Sequence, residues 1–118
     1  MSNSPVSIHP YFRAHPGKLE SIKPLLQRFV ERTKTEQTVL HYEFTQNGDE
    51  IFCRESYTNA EAALAHITNV KDLLDEILTM SDLVRLEFHG PEDEIAKLRE
   101  PLAELNPAFF VSIAALQR

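Results

Sequence analysis

Polarity alternates from Val6 to Phe12, with Val6, Ile8 and Phe12 on one side and Ser7, His9 and Tyr11 on the other, which is the two-residue period of a half-buried strand. After Pro16-Gly17 the period changes, and Leu19, Ile22, Leu25, Leu26, Phe29 and Val30 recur at helical spacing up to about Lys34. Pro24 interrupts this pattern and removes one backbone hydrogen bond, so the helix is expected to kink or to begin later than its apolar residues suggest. Alternation returns on both sides of Asn47-Gly48, the dipeptide best suited to the positive φ angles of a two-residue hairpin turn. With Asn47 and Gly48 in the turn, Phe44 is expected opposite Ile51, Tyr42 opposite Cys53, Leu40 opposite Glu55 and Thr38 opposite Tyr57, all on one largely apolar side. The other side then pairs Glu43 with Phe52, His41 with Arg54 and Val39 with Ser56. A bulged three-residue turn would slip one strand by one residue; the two-residue turn is preferred because it keeps the apolar residues together.

Thr58 and Glu61 form a T-x-x-E capping box, with Asn59 as an alternative cap, ahead of a short helix whose buried stripe is Ala60, Ala63, Leu64 and Ile67. Val70, Leu73, Leu74, Ile77 and Leu78 continue as a second stripe after a break near Thr68-Asn69. A fourth strand is expected from about Leu83 to His89, with Val84, Leu86 and Phe88 on one side and Arg85, Glu87 and His89 on the other. The order β-α-β-β-α-β is the ferredoxin-like, split βαβ arrangement of the α+β class, an antiparallel sheet with helices on one face. Beyond Gly90, Ile95, Leu98 and Leu102 indicate a further helix interrupted by Pro101, and AFFVSIAAL reads as a fifth strand that closes a pocket or reaches across a dimer. The chain reads as one domain, 1–118, with a core over 6–89 and a C-terminal extension over 90–118.

The 118 residues carry a formal charge of -6, which disfavours nucleic acid and anionic membrane surfaces as partners. The single Cys53 lies within a strand, reads as a small buried hydrophobe, and cannot form an internal disulfide, which fits a reducing cytoplasm. The first ten residues lack the basic and apolar regions of a signal peptide, and no apolar run approaches membrane-spanning length. Dinucleotide, Walker, zinc-protease and serine-hydrolase motifs are absent from the sequence.

Acid–base chemistry is what remains. Glu55 falls on the apolar side of its strand, where a carboxylate is costly unless paired, hydrogen-bonded or protonated; the bland alternative is a rim or helix-capping residue. His66, on the helix that follows, is within reach of it, and a His–Glu pair holds an imidazole in one tautomer as a general base; as a lone helical histidine it would instead be structural. Tyr57 and Tyr42 share the Glu55 face and read as pocket phenols or as plain core aromatics. His9, His41 and His89 fall on the opposite side without metal-ligand spacing, and with Arg54, Arg85, Glu87 and Glu43 they read as an ion-pair layer. The acidic run Glu92, Asp93 and Glu94 suits a helix N-terminus.

Tyr42-Glu43 in the second strand, Glu55-Ser56-Tyr57 closing the third, and the Ala62 to His66 helix resemble, in order and spacing, the antibiotic biosynthesis monooxygenase (ABM) domain family, which includes quinol monooxygenases. The resemblance covers about residues 6–89 and implies a homodimeric α+β barrel with a pocket between sheet and helices in each subunit. It also implies cofactor-independent oxidation of a small aromatic or quinol compound by dioxygen, with neither metal nor flavin. In such a site His66 would be the base, Glu55 would orient it, and Tyr57 and Tyr42 would bind or protonate substrate oxygens, with Leu40 and Phe44 against the substrate. Many members carry tryptophan where Tyr57 stands, and its absence here argues against haem degradation. A non-catalytic dimeric module binding an apolar small molecule, or serving as a structural partner, is the alternative, and an isomerase or lyase using the same pair without oxygen is a third reading.

Overall fold

Strands and helices form where the two periods place them in the computed structural model, which describes residues 4–116. The elements are β1 (Val6–Ala14), α1 (Leu19–Thr33), β2 (Val39–Asn47), β3 (Glu50–Tyr57), α2 (Ala60–Asn69), α3 (Lys71–Ile77), β4 (Ser81–Gly90), α4 (Glu92–Arg99), a short 3-10 turn (Ala103–Leu105) and β5 (Ala108–Val111). The sheet order is β2-β3-β1-β4-β5, antiparallel except for the parallel β4–β5 pair. This is the expected α+β, ferredoxin-like arrangement with a C-terminal helix and an added edge strand.

The hairpin register differs from the expectation. Asn47 pairs with Glu50, so the two loop residues are Gly48 and Asp49, with Gly48 at φ 62°. A glycine at the first central position is the choice of a II′ turn, and it lets Asp49 pass its carbonyl to the Ala14 N–H at 2.8 Å, joining the hairpin to β1. The slip spans two residues along the partner strand, so the faces survive while the partners change: Tyr42 lies opposite Glu55 and Phe44 opposite Cys53. An irregularity between Val39 and His41 leaves Leu40 unpaired and 48% exposed. A second register shift sets Phe12 against Leu83 and Tyr11 against Arg85, so Val84 bulges outward and Leu83, rather than Val84, faces the helices.

Helix α1 runs through Pro24, whose missing N–H falls early in the helix where the turn above it is solvent-exposed. At α2 the cap is Asn59, whose side chain accepts the Ala62 N–H at 2.9 Å, rather than Thr58. A second acceptor comes from the extension: Oε1 of Glu94 in α4 receives the Ala60 N–H at 2.8 Å. A carboxylate at that position also complements the positive end of α2. The extension therefore packs on its own chain, with α4 beside α2 and β5 beside β4.

One apolar cluster gathers Phe12, Ile22, Leu25, Phe29, Ile51, Val70, Leu73 and Ile77, and a second gathers Val6, Ile8, Tyr57, Ala60, Ala63, Phe88, Ile95 and Leu98. Both lie between the sheet and the helices, and residues from both line a cavity. The opposite sheet face carries His9, Tyr11, Phe52, Arg54, Arg85 and His89, with no helix over it among the described residues. Among the described residues no helix is long and apolar enough to cross a membrane.

Candidate active site

Strand β3 holds Glu55 and Tyr57 two residues apart, so both side chains point to the helical face. The Tyr57 hydroxyl donates to Oε1 of Glu55 at 2.5 Å. Helix α2 brings His66 over the same strand, with Nε2 3.4 Å from that oxygen, close enough for a proton to move after a small adjustment. Tyr42, opposite Glu55 on β2, places its ring 5.2 Å from the imidazole, and the Tyr57 ring lies 5.1 Å from it. Glu55, His66, Tyr57 and Tyr42 thus converge as expected from the sequence.

The partner that orients His66 is a residue the sequence did not single out. Glu36, in the connection between α1 and β2, sets Oε2 2.8 Å from Nδ1 of His66. Asn69 donates its side-chain N–H to the same oxygen at 2.9 Å. Asn69 is itself held at the end of α2, where its carbonyl accepts from the Arg32 guanidinium at 2.8 Å. Glu36 sits in the polar run ERTKTEQT, which has neither period nor motif, so nothing local marks it. Glu55 then lies on the far side of the imidazole from the orienting carboxylate, not in the orienting position assigned to it from the sequence.

Burial pushes the Glu55 carboxyl up to about 7, against the hydrogen bonds from Tyr57 and Cys53, and the Glu36 charge adds to the rise. Burial also lowers the His66 pKa, opposed by its bond to Glu36 and by that group's charge, so the imidazole is neutral near pH 7. The phenols of Tyr42 and Tyr57 and the thiol of Cys53 are all raised by burial and next by the Glu55 charge, which keeps them protonated. Cys53 is accordingly an inert wall residue.

The cavity measures about 240 Å³. Its walls are apolar, formed by residues such as Ile8, Phe12, Phe44, Val70, Leu86 and Phe88, while Tyr42, Glu55 and His66 supply polar groups inside it. Lys71 and Asp75, paired at 2.8 Å and solvent-exposed, stand with Leu78 and Leu105 where it opens. Phe44 lines the cavity as expected. Leu40 does not, because the β2 irregularity turns it to solvent. Tyr57 is fully buried behind Glu55 and does not line it either.

On the other face, His9 and His89 meet edge to face with ring centroids 4.6 Å apart, His89 bonds Glu87 at 2.9 Å, and Arg85 pairs with Glu87. His41 pairs instead with Glu43 at 3.5 Å, with Arg54 beside that carboxylate. These are the ion pairs anticipated there, and strands β1 and β3 separate His41 from His89. Among the described residues no group of three or more His, Cys, Asp or Glu side chains is arranged to hold a metal ion.

MupZ from Pseudomonas fluorescens has a solved structure that matches over 98% of this chain and 96% of its own, with a TM-score of 0.94 and 37% identity. This chain belongs to the MupZ family. More distant MupZ-like folds include a candidate antibiotic biosynthesis monooxygenase from Chloroflexus aurantiacus, with 21% identity, a TM-score of 0.62, and coverage of 75% of this chain and 93% of that one. A Bacteroides thetaiotaomicron protein of unknown function, described as a possible oxidoreductase, matches at 17% identity and a TM-score of 0.67, covering 75% of this chain and 99% of that one. Both of these show the fold. Neither the protein-family models nor the curated proteins contain a match to the chain. For this member of the MupZ family the likeness to MupZ covers 98% of the chain and so takes in most of the extension, whereas the two more distant folds each cover 75% of it.

Proposed function

We propose that this member of the MupZ family is an acid–base enzyme acting on a small, largely apolar molecule that carries an oxygen function. One observation carries the reading: Glu55, a buried carboxyl raised to about 7, opens into an apolar cavity between a phenol and a neutral imidazole. Such a group exchanges a proton near neutral pH, and the dry walls hold a substrate against it. The open cavity supports this over a purely structural module.

Two reactions use this arrangement. In the first, a cofactor-independent monooxygenase reaction, the site deprotonates a phenol or quinol. Dioxygen then takes its electrons, leaving one oxygen atom in the product and the other as water. The name of the Chloroflexus protein supports this reaction and suggests a step in making a small natural product. In the second, Glu55 gives its proton to a substrate oxygen while His66 accepts one, an isomerisation, elimination or addition that leaves oxidation state unchanged. The raised carboxyl favours it, since a half-protonated acid at neutral pH is a ready donor. A homodimer is proposed for both, with the helix-free sheet face covered by a second copy.

Oxygen uptake and anaerobic product formation, followed across phenols, quinols and apolar hydroxy or epoxy compounds, test this reading. Turnover that Glu55→Gln and His66→Ala each reduce by about 10²-fold or more supports acid–base catalysis. Uptake of oxygen selects the first reaction, and anaerobic turnover the second. Tight binding with no turnover of any kind would return the protein to the class of binding modules.

A further inference from the structure

We propose that Glu36 is a positioning residue that fixes His66 with Nδ1 protonated and Nε2 bare toward Glu55, so that Glu55 retains the proton the site uses. The proposal rests on the acid–base reading above. Three observations carry it. The Glu36 carboxylate only accepts hydrogen bonds, so the 2.8 Å contact places the ring proton on Nδ1. Asn69, itself tied to Arg32, donates to the same oxygen and locks it in place. The other oxygen of Glu36 is buried with no hydrogen-bond partner among the described residues. An unpartnered buried carboxylate oxygen is destabilising, and an apolar or amide residue would fill the place at lower cost if structure were its only role.

The surroundings leave this charge directed at His66. At the end of α1, the Arg32 guanidinium is engaged by Asp72 through contacts of 2.8 and 3.1 Å. From β2 and β3 the site meets Tyr42, Cys53, Glu55 and Tyr57, and from α3 the ion-paired Lys71 and Asp75 at the cavity mouth. Two carboxylates therefore flank one imidazole. Glu36 holds the Nδ1 side, its charge opposes ionisation of Glu55, and Nε2 is left to share the Glu55 proton.

Two substitutions separate tautomer from charge. In Glu36→Gln the amide oxygen still accepts from His66 and Asn69 but the charge is gone; in Glu36→Leu both are lost. The readouts, needing no substrate, are the ¹⁵N shifts of the His66 ring and the ¹³C titration of the Glu55 carboxyl. The wild type should show the Nδ1–H tautomer. Glu36→Gln should keep that tautomer and titrate Glu55 at lower pH, and Glu36→Leu should lose its dominance. An Nε2–H wild type, or a Glu55 midpoint unmoved in Glu36→Gln, would overturn the proposal, and the second result stands even if the leucine variant does not fold. With a substrate in hand, kcat should fall ~10²-fold in Glu36→Leu with KM little changed. Failure of the acid–base reading would show separately, as a wild type without turnover.

Discussion

The Tyr57 hydroxyl donates a 2.5 Å hydrogen bond to Oε1 of Glu55, two residues back along the same strand. Tyr57 has no exposure and does not line the cavity, so any effect it has on a substrate passes through Glu55. Its bond favours the ionised carboxylate and partly offsets the cost of burial. Tyr57→Phe should therefore raise the Glu55 midpoint above about 7 and cost about 1 kcal/mol of stability. Carboxyl NMR titration and urea denaturation read the two effects. A midpoint that stays put would show that the bond does not govern the acid.

Glu55 also makes a signed contribution to stability. Its folded pKa, raised from 4.5 to about 7, means that the native state holds a proton the unfolded chain releases between those values. The contribution is complete below the unfolded pKa, declines as pH rises and is lost above about 7, with a size on the order of 3 kcal/mol. Wild-type stability measured relative to Glu55→Gln should fall across pH 4.5 to 7 and level off beyond. Parallel curves for the two proteins would contradict it.

Glu94 anchors the helix that carries His66. Glu94→Ala removes the acceptor for the Ala60 N–H and an anion at the positive end of α2, which should cost about 1 kcal/mol. The carboxyl is lowered chiefly by that backbone bond, so its contribution is present above the unfolded pKa and fades as pH falls. Hydrogen exchange at the first turn of α2 should accelerate in the variant, while exchange in β2 and β3 should not.

Leu78 and Leu40 are both exposed, at 45% and 48%, but Leu78 alone borders the cavity. Leu78→Asp should weaken binding of an apolar probe such as 1-naphthol by about tenfold, the loss of part of one apolar side chain's burial. Leu40→Ala should leave it unchanged. Calorimetry that found equal losses in both would place the ligand elsewhere.

The amino-acid sequence by itself determined the element order, because strand and helix periods are local properties of the polarity pattern. It also placed Glu55, Tyr57 and Tyr42 on one face, since a strand's alternation survives a two-residue slip in register. The tertiary structure decided which of these groups touch. Moving the turn to Gly48-Asp49 set Tyr42 against Glu55, and the β2 irregularity expelled Leu40 from the pocket. Glu36 shows the limit most clearly: it lies 30 residues from His66 in a stretch without period or motif, and only the packing of the α1–β2 connection against α2 joins them. Hydrogen bonds between distant segments depend on where the whole chain has brought each backbone, and no local pattern encodes that.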